Sequence, residues 1–155
     1  MLASGWALAV AAPAIPAHAQ ERRGHEVGVE ALATLAEPSF AGGGVSLGIR
    51  PGGGIRIVFT AAPGVLRNRL AARGELLGEL MLTPMKRRGV GFYGLAGVAG
   101  QVGRRDAGRL VLGLGIEGAP AASSGWHFEA GLGGGFRIAA GWRWRWLRPN
   151  QPQMP

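Results

Sequence analysis

The last regular stretch of the chain, Phe136–Trp146, constrains the fold more than any other segment. Side chains of a β-strand point alternately to its two faces. Alternate residues of this stretch give one wholly apolar face, which ends in Trp142, Trp144 and Trp146, and one face that carries three arginines. Such a strand belongs either to a soluble sheet with a tryptophan core or to a transmembrane barrel whose tryptophans face lipid.

The same alternation recurs through the chain in runs of about ten residues separated by turns. The 29 glycines among 155 residues disfavour helices, and no apolar run of ~18 residues follows Gln20. Short glycine-rich turns are predicted at Pro51–Gly54 and Gly133–Gly135, and a longer connection at Pro63–Ala71. The eight predicted strands are Glu26–Leu35, Phe40–Arg50, Ile55–Ala62, Ala72–Thr83, Val90–Gln101, Gly108–Gly118, Gly125–Leu132 and Phe136–Trp146.

Eight alternating strands predict an all-β fold, an eight-stranded antiparallel up-and-down transmembrane β-barrel with a filled polar interior. An even number of strands lets the last strand pair with the first, so that no edge is left. Closure is what lipid requires, because unpaired backbone groups there cost several kcal/mol each. A barrel of this size has room inside for side chains but not for an open pore.

Every charged residue of the predicted strands lies on one and the same face of the predicted sheet. We expect this face to line the interior, where arginines and glutamates pair as an ion network and inward glycines make room for the long side chains. The predicted network consists of Glu26, Glu30, Arg50, Arg56, Arg73, Glu75, Glu79, Arg109, Glu117, Glu129, Arg137, Arg143 and Arg145.

Aromatic residues fall near the ends of the predicted strands, as the two girdles of a membrane barrel do. With the N-terminus in the periplasm, most would lie near the periplasmic rim, and Phe40 and Phe136 would lie near the outer rim. The predicted lipid-facing aromatics are Phe92, Trp126, Phe128, Phe136, Trp142, Trp144 and Trp146.

The first 19 residues predict export, and the segments that flank the barrel are short. Residues 1–19 read as a signal peptide cleaved after Ala19, since Ala17-His18-Ala19 fits the small-x-small pattern. A linker at 20–25 precedes the barrel at 26–147, and a Pro- and Gln-rich tail at 148–155 is predicted to be disordered.

Composition narrows the possible partners and cofactors. The absence of cysteine excludes disulfides and thiolate metal sites, and histidine and aspartate are too few for a metal cluster. The net charge of +8 comes from 17 basic and 9 acidic residues. Because the basic residues alternate with apolar ones, we expect no nucleic-acid partner. We also expect no cofactor.

The alternating strands, the charged interior positions and the final Trp142-Arg-Trp-Arg-Trp146 resemble the small eight-stranded outer-membrane β-barrel proteins of Gram-negative bacteria. The resemblance covers Glu26 to Leu147. It implies an outer-membrane location and a structural or surface role. The implied partners are the outer-membrane lipid and the insertion machinery that reads the last strand. Lipopolysaccharide is a further partner if the loop residues Arg67, Arg69, Arg104 and Arg105 contact its phosphates; otherwise these arginines are solvated charges.

Two alternatives stay open at this point. Some barrels of this kind modify lipid A, and His127 with Glu129 would supply a general base, although no nucleophile is evident. No catalytic residue is therefore predicted. The other alternative is a soluble periplasmic lipocalin-like barrel, in which the apolar face lies inside and binds an apolar ligand.

Overall fold

A computed structural model describes residues 23–103 and 107–148 as one closed antiparallel barrel. Each strand pairs with the next in sequence, and β8 pairs with β1. The predicted eight-stranded up-and-down barrel is confirmed. The strands are β1 (Arg23–Leu35), β2 (Phe40–Gly52), β3 (Ile55–Leu66), β4 (Arg69–Met81), β5 (Val90–Val102), β6 (Ala107–Gly118), β7 (Ser124–Leu132) and β8 (Phe136–Arg148).

The predicted signal peptide and all but the first residue of the predicted tail lie outside the described residues. The strands at the two ends are longer than predicted. Residues 23–25 of the predicted linker and the first tail residue, Arg148, belong to the sheet, where Arg23 and Arg148 are partners. In the described ranges, no helix is long and apolar enough to cross a membrane.

The largest difference from the prediction is the connection expected at Pro63–Ala71. Pro63 pairs with Ala72 inside the sheet, and the reversal is confined to Arg67 and Asn68. Both residues have positive φ, 47° and 61°, as the two central positions of a type I′ hairpin turn require. The sequence lacks the Asn-Gly and Gly-Gly signatures of such turns here, so it does not predict this turn.

The connections define two ends of the barrel. The proximal mouth holds both ends of the described chain, Arg23 and Arg148, and the β2–β3, β4–β5 and β6–β7 connections. The distal mouth holds the β1–β2, β3–β4, β5–β6 and β7–β8 connections. At the proximal mouth, Gly53 and Gly54 have φ of 64° and 75° and make the tight reversal that the sequence predicts.

Apolar and charged side chains are segregated between the two faces of the barrel wall. Trp142 is 42% exposed and Leu112 65% exposed on the outside, whereas Arg143, next to Trp142 in sequence, is 2% exposed inside. This is the opposite of the arrangement that the lipocalin-like alternative requires. The aromatics that lie on the outer face include Phe92, Trp126, Phe128, Phe136, Trp142, Trp144 and Trp146.

Phe40 differs from the outer-rim prediction, because its ring is buried inside the barrel in a cluster with Leu32 and Leu66. A methyl group at Gly42 or Gly64 would lie within 3 Å of the ring, so these glycines make room for it. The glycines that follow Phe40 carry no side chain that reveals the phase of the strand, so the sequence left the face of Phe40 open.

Candidate functional site

The interior face of the barrel carries six arginines and six glutamates that are almost inaccessible to solvent. All twelve are among the residues predicted for the ion network. They are Glu26, Glu30, Arg50, Arg56, Arg73, Glu75, Glu79, Glu117, Glu129, Arg137, Arg143 and Arg145. In the described part of the chain, the buried charges of the two signs are therefore equal in number.

Arg109 is the predicted network member that the structure places elsewhere. It follows the inward phase of β6, but Val111 is the first buried residue of that strand. Arg109 is exposed at the distal mouth and forms no ion pair with any residue in 23–103 or 107–148. Strand alternation assigns a face, and it does not tell how deep in the lumen a residue lies.

The distal part of the network is organised around Glu75. Arg73 donates from Nε to Oε1 of Glu75 at 2.7 Å, and Arg137 donates from Nη2 to Oε2 at 2.7 Å. The other edge of Arg137 lies 2.9 Å from Oε2 of Glu129. One guanidinium thus connects two carboxylates contributed by different strands.

Glu129 carries the network to the middle of the barrel. Its Oε1 accepts hydrogen bonds from the hydroxyl of Tyr93 and from Nη2 of Arg143, both at 2.8 Å. Arg143 Nη2 also lies 3.2 Å from Oε1 of Glu79. This role of Tyr93 is not among the predictions from the sequence. A signal for it is Gly115 on β6, where a Cβ atom would overlap the tyrosine ring.

Arg56 is the most enclosed charge, with no exposed surface. It donates from Nε to Oε2 of Glu79 at 2.6 Å and from Nη1 to Oε2 of Glu117 at 2.9 Å. Arg145 donates to the same Glu117 oxygen at 2.6 Å. The guanidinium of Arg56 also lies 5.0 Å from the centroid of the Tyr93 ring, within cation–π range.

Arg50 and Glu26 complete the network at the proximal mouth, where they form a direct hydrogen bond. Nη1 of Arg50 donates to the carbonyl of Pro120 at 3.0 Å, and Nη1 of Arg145 lies 3.5 Å from the carbonyl of Ala119. The β6–β7 connection therefore covers the proximal mouth and accepts the outermost arginine donors.

The ion pairs form an unbroken path from Arg73 at the distal side to Arg50 at the proximal side. A chain of buried pairs fills the lumen instead of leaving a channel. Such pairs add little net stability compared with an apolar core, but removal of one partner is costly because the other charge stays buried.

His127 does not pair with Glu129, the partner that the sequence suggests. It lies inside the barrel, with Nε2 3.4 Å from Oε2 of Glu30, whereas the predicted partner Glu129 is engaged by Tyr93 and two arginines. Neither ring nitrogen of His127 makes a hydrogen bond to the described residues. No group of three metal-ligating side chains is found in the described part of the chain.

The distal mouth is open and contains a cavity of about 370 Å³. The charged residues in its lining are Arg67, Arg69, Arg73, Arg109 and Glu37. The two other loop arginines considered from the sequence, Arg104 and Arg105, lie outside the described residues.

Structures of two bacterial proteins are among the solved structures that share this fold. The N-terminal β-barrel domain of Pseudomonas aeruginosa OprF matches with a TM-score of 0.62 and 15% sequence identity, over 78% of this chain and 97% of that one. Neisserial surface protein A (NspA) matches with a TM-score of 0.50 and 12% identity, over 80% of this chain and 97% of that one. At these identities, the likeness shows the fold alone. No family model matches the sequence, and no curated protein matches it.

Proposed function

We propose that this chain is a small outer-membrane β-barrel protein of a Gram-negative bacterium with a structural or surface role, and that it does not conduct ions. The observation that carries the proposal is the two-sided wall, which is apolar towards the surroundings and charged towards the lumen. Lipid requires this arrangement, whereas water would leave a continuous apolar surface exposed around the molecule.

The placement of the aromatic residues supports a membrane with two interfaces. Trp126 and Trp142 are cross-strand partners near the proximal mouth, and Trp144 and Trp146 follow them towards the same end. Phe136 lies at the distal start of β8. Tryptophan is favoured at the boundary between hydrocarbon and water, so the proximal rim marks one boundary.

The proposed partners follow from the same surfaces. The outer face would contact outer-membrane lipid, and the alternating last strand, β8, would be read by the insertion machinery. The two structural neighbours, a β-barrel domain and a protein named for the cell surface, agree with this role. A lipid A-modifying activity gains no support, because His127 is buried and neither of its ring nitrogens makes a hydrogen bond to the described residues.

Cell fractionation tests the location. We expect the protein to stay with outer-membrane vesicles after osmotic shock and to require detergent for release. Because a closed barrel resists unfolding by cold detergent, the unheated protein should migrate faster in a denaturing gel than the boiled protein. Release by osmotic shock without detergent, or equal migration of the two samples, would contradict the proposal.

Planar-bilayer recording tests closure. We expect no steady conductance from the inserted barrel, since the ion network occupies the lumen and the β6–β7 connection covers the proximal mouth. A sixteen- to eighteen-stranded porin inserted under the same conditions supplies the positive control. Long-lived conductance steps from the unmodified protein would show that the network does not close the barrel.

A further inference from the structure

The cavity at the distal mouth has an excess of positive charge. Among residues 23–103 and 107–148, four arginines and one glutamate line it, in contrast to the equal numbers of the two charges deeper in the lumen. Arg69 and Arg109 form no ion pair with the described residues. Arg67 lies 3.5 Å from Glu37, but both side chains are mostly exposed, so this pair neutralises little.

Arg73 forms the buried floor of this cavity. Its Nε donates to Glu75 at 2.7 Å, and its Nη2 donates to the carbonyl of Gly133 at 2.8 Å. Its Nη1 makes no hydrogen bond to any residue in 23–103 or 107–148. The hydroxyl of Thr34 and the amide of Gln101 add neutral donors to the same lining.

The β7–β8 turn lies next to Arg73 and Arg109. Gly134 has a φ of 84°, and a Cβ atom on it would lie 3.0 Å from Cγ of Arg109. The bare backbone therefore lets the stem of Arg109 pass close to the turn, while the carbonyl of the neighbouring Gly133 fixes Arg73. Both arginines therefore lie against one wall of the cavity.

Backbone carbonyls accept from cations at both mouths, and at the distal mouth the carbonyl of Gly133 accepts from Arg73. At the proximal mouth, backbone carbonyls accept from Arg50, Arg145 and Lys86. At the distal mouth, Arg69 and Arg109 have no such acceptor among the described residues. Because Arg69 and Arg109 line the cavity, their guanidinium donors are available to a bound anion.

We propose that the distal mouth binds the phosphate group of a small soluble phosphorylated compound. Guanidinium forks match phosphate oxygens in geometry and charge, and a cavity of about 370 Å³ is within the range of small-molecule sites. Arg69, Arg73 and Arg109 share the inward phase of their strands, so the anion reaches them along the barrel axis from water. The site depends on the barrel geometry and not on the proposed location.

Binding is tested on the purified protein in zwitterionic detergent, with glucose 6-phosphate as the probe and glucose as its uncharged counterpart. We expect saturable changes in the NMR signals of the Gly133–Gly135 amides with glucose 6-phosphate only. Arg109→Gln should weaken binding about tenfold, because one charge-assisted contact is removed. Arg87→Gln is the matched control, since it removes the same charge from the exposed proximal β4–β5 connection and should leave the affinity within about twofold.

Three results would overturn the proposal. Equal responses to glucose and glucose 6-phosphate would show that the phosphate is not recognised. Equal weakening by Arg109→Gln and Arg87→Gln would indicate attraction by net charge only. A response to vesicles containing phosphatidic acid, without one to glucose 6-phosphate, would assign the arginines to lipid headgroups. Far-ultraviolet circular dichroism of both variants checks that the barrel is intact, and failed binding by an intact barrel leaves the membrane proposal standing.

Discussion

Replacing Glu79 with glutamine is expected to lower the free energy of unfolding by about 3–5 kcal/mol, a large part of the stability of a domain of this size. The Glu79 carboxylate lies between Arg56 and Arg143 and is itself almost fully buried. Glutamine keeps the size of the side chain but removes its charge, so two enclosed guanidinium groups lose a shared partner. Urea titration of the protein in phospholipid vesicles, followed by tryptophan fluorescence, measures the change.

Glu37→Gln is the control for this experiment. It removes the same charge from the exposed pair with Arg67, for which we expect a change below about 1 kcal/mol. If both variants lose equally little stability, the network does not hold the strands together. If Glu79→Gln fails to insert, the comparison is repeated with the milder Tyr93→Phe. Tyr93→Phe removes only the hydrogen bond to Glu129 and should cost about 0.5–1.5 kcal/mol.

Alternation along the strands was enough to predict the fold and the face of most charged residues. A period of two is a local property, and it survives wherever side chains of contrasting polarity mark the two faces. The prediction of the face failed where side chains of contrasting polarity are missing. The glycines after Phe40 do not show which face of β2 its ring lies on. The Arg67-Asn68 turn has no glycine that would indicate the reversal.

The partners within the interior network could not be predicted from the sequence. Contacts across the lumen depend on the closure and register of all eight strands, and alternation contains neither. Tyr93 and Glu129, for example, are 36 residues apart and meet on different strands. The sequence placed His127 beside Glu129 because they share one strand, yet the structure places the His127 ring next to Glu30 of β1. Alternation also does not show how deep in the lumen a residue lies. Arg109 was therefore assigned to the network although it lies at the distal mouth.

Leu112→Arg is expected to lower the stability of the barrel in phospholipid vesicles by about 2–4 kcal/mol, because a charge at the midplane of the bilayer loses its hydration. Leu112 lies at the middle of β6, on the outer face, with Ala96 and Leu132 as its cross-strand neighbours. Neither neighbour offers an acceptor for a guanidinium. Urea titration with the gel-mobility readout measures the loss in free energy.

Leu82→Arg separates the effect of lipid from the effect of the substitution itself. Leu82 is 68% exposed, close to the 65% of Leu112, but it follows the end of β4 at the proximal mouth. Near the interface the cost of arginine falls to about 0–1 kcal/mol, so the two variants should differ by roughly 2 kcal/mol or more. In a barrel surrounded by water, both exposed positions would accept arginine without loss. Equal, small effects at the two depths would therefore show that the apolar outer face does not meet hydrocarbon, whatever the charges inside the barrel do.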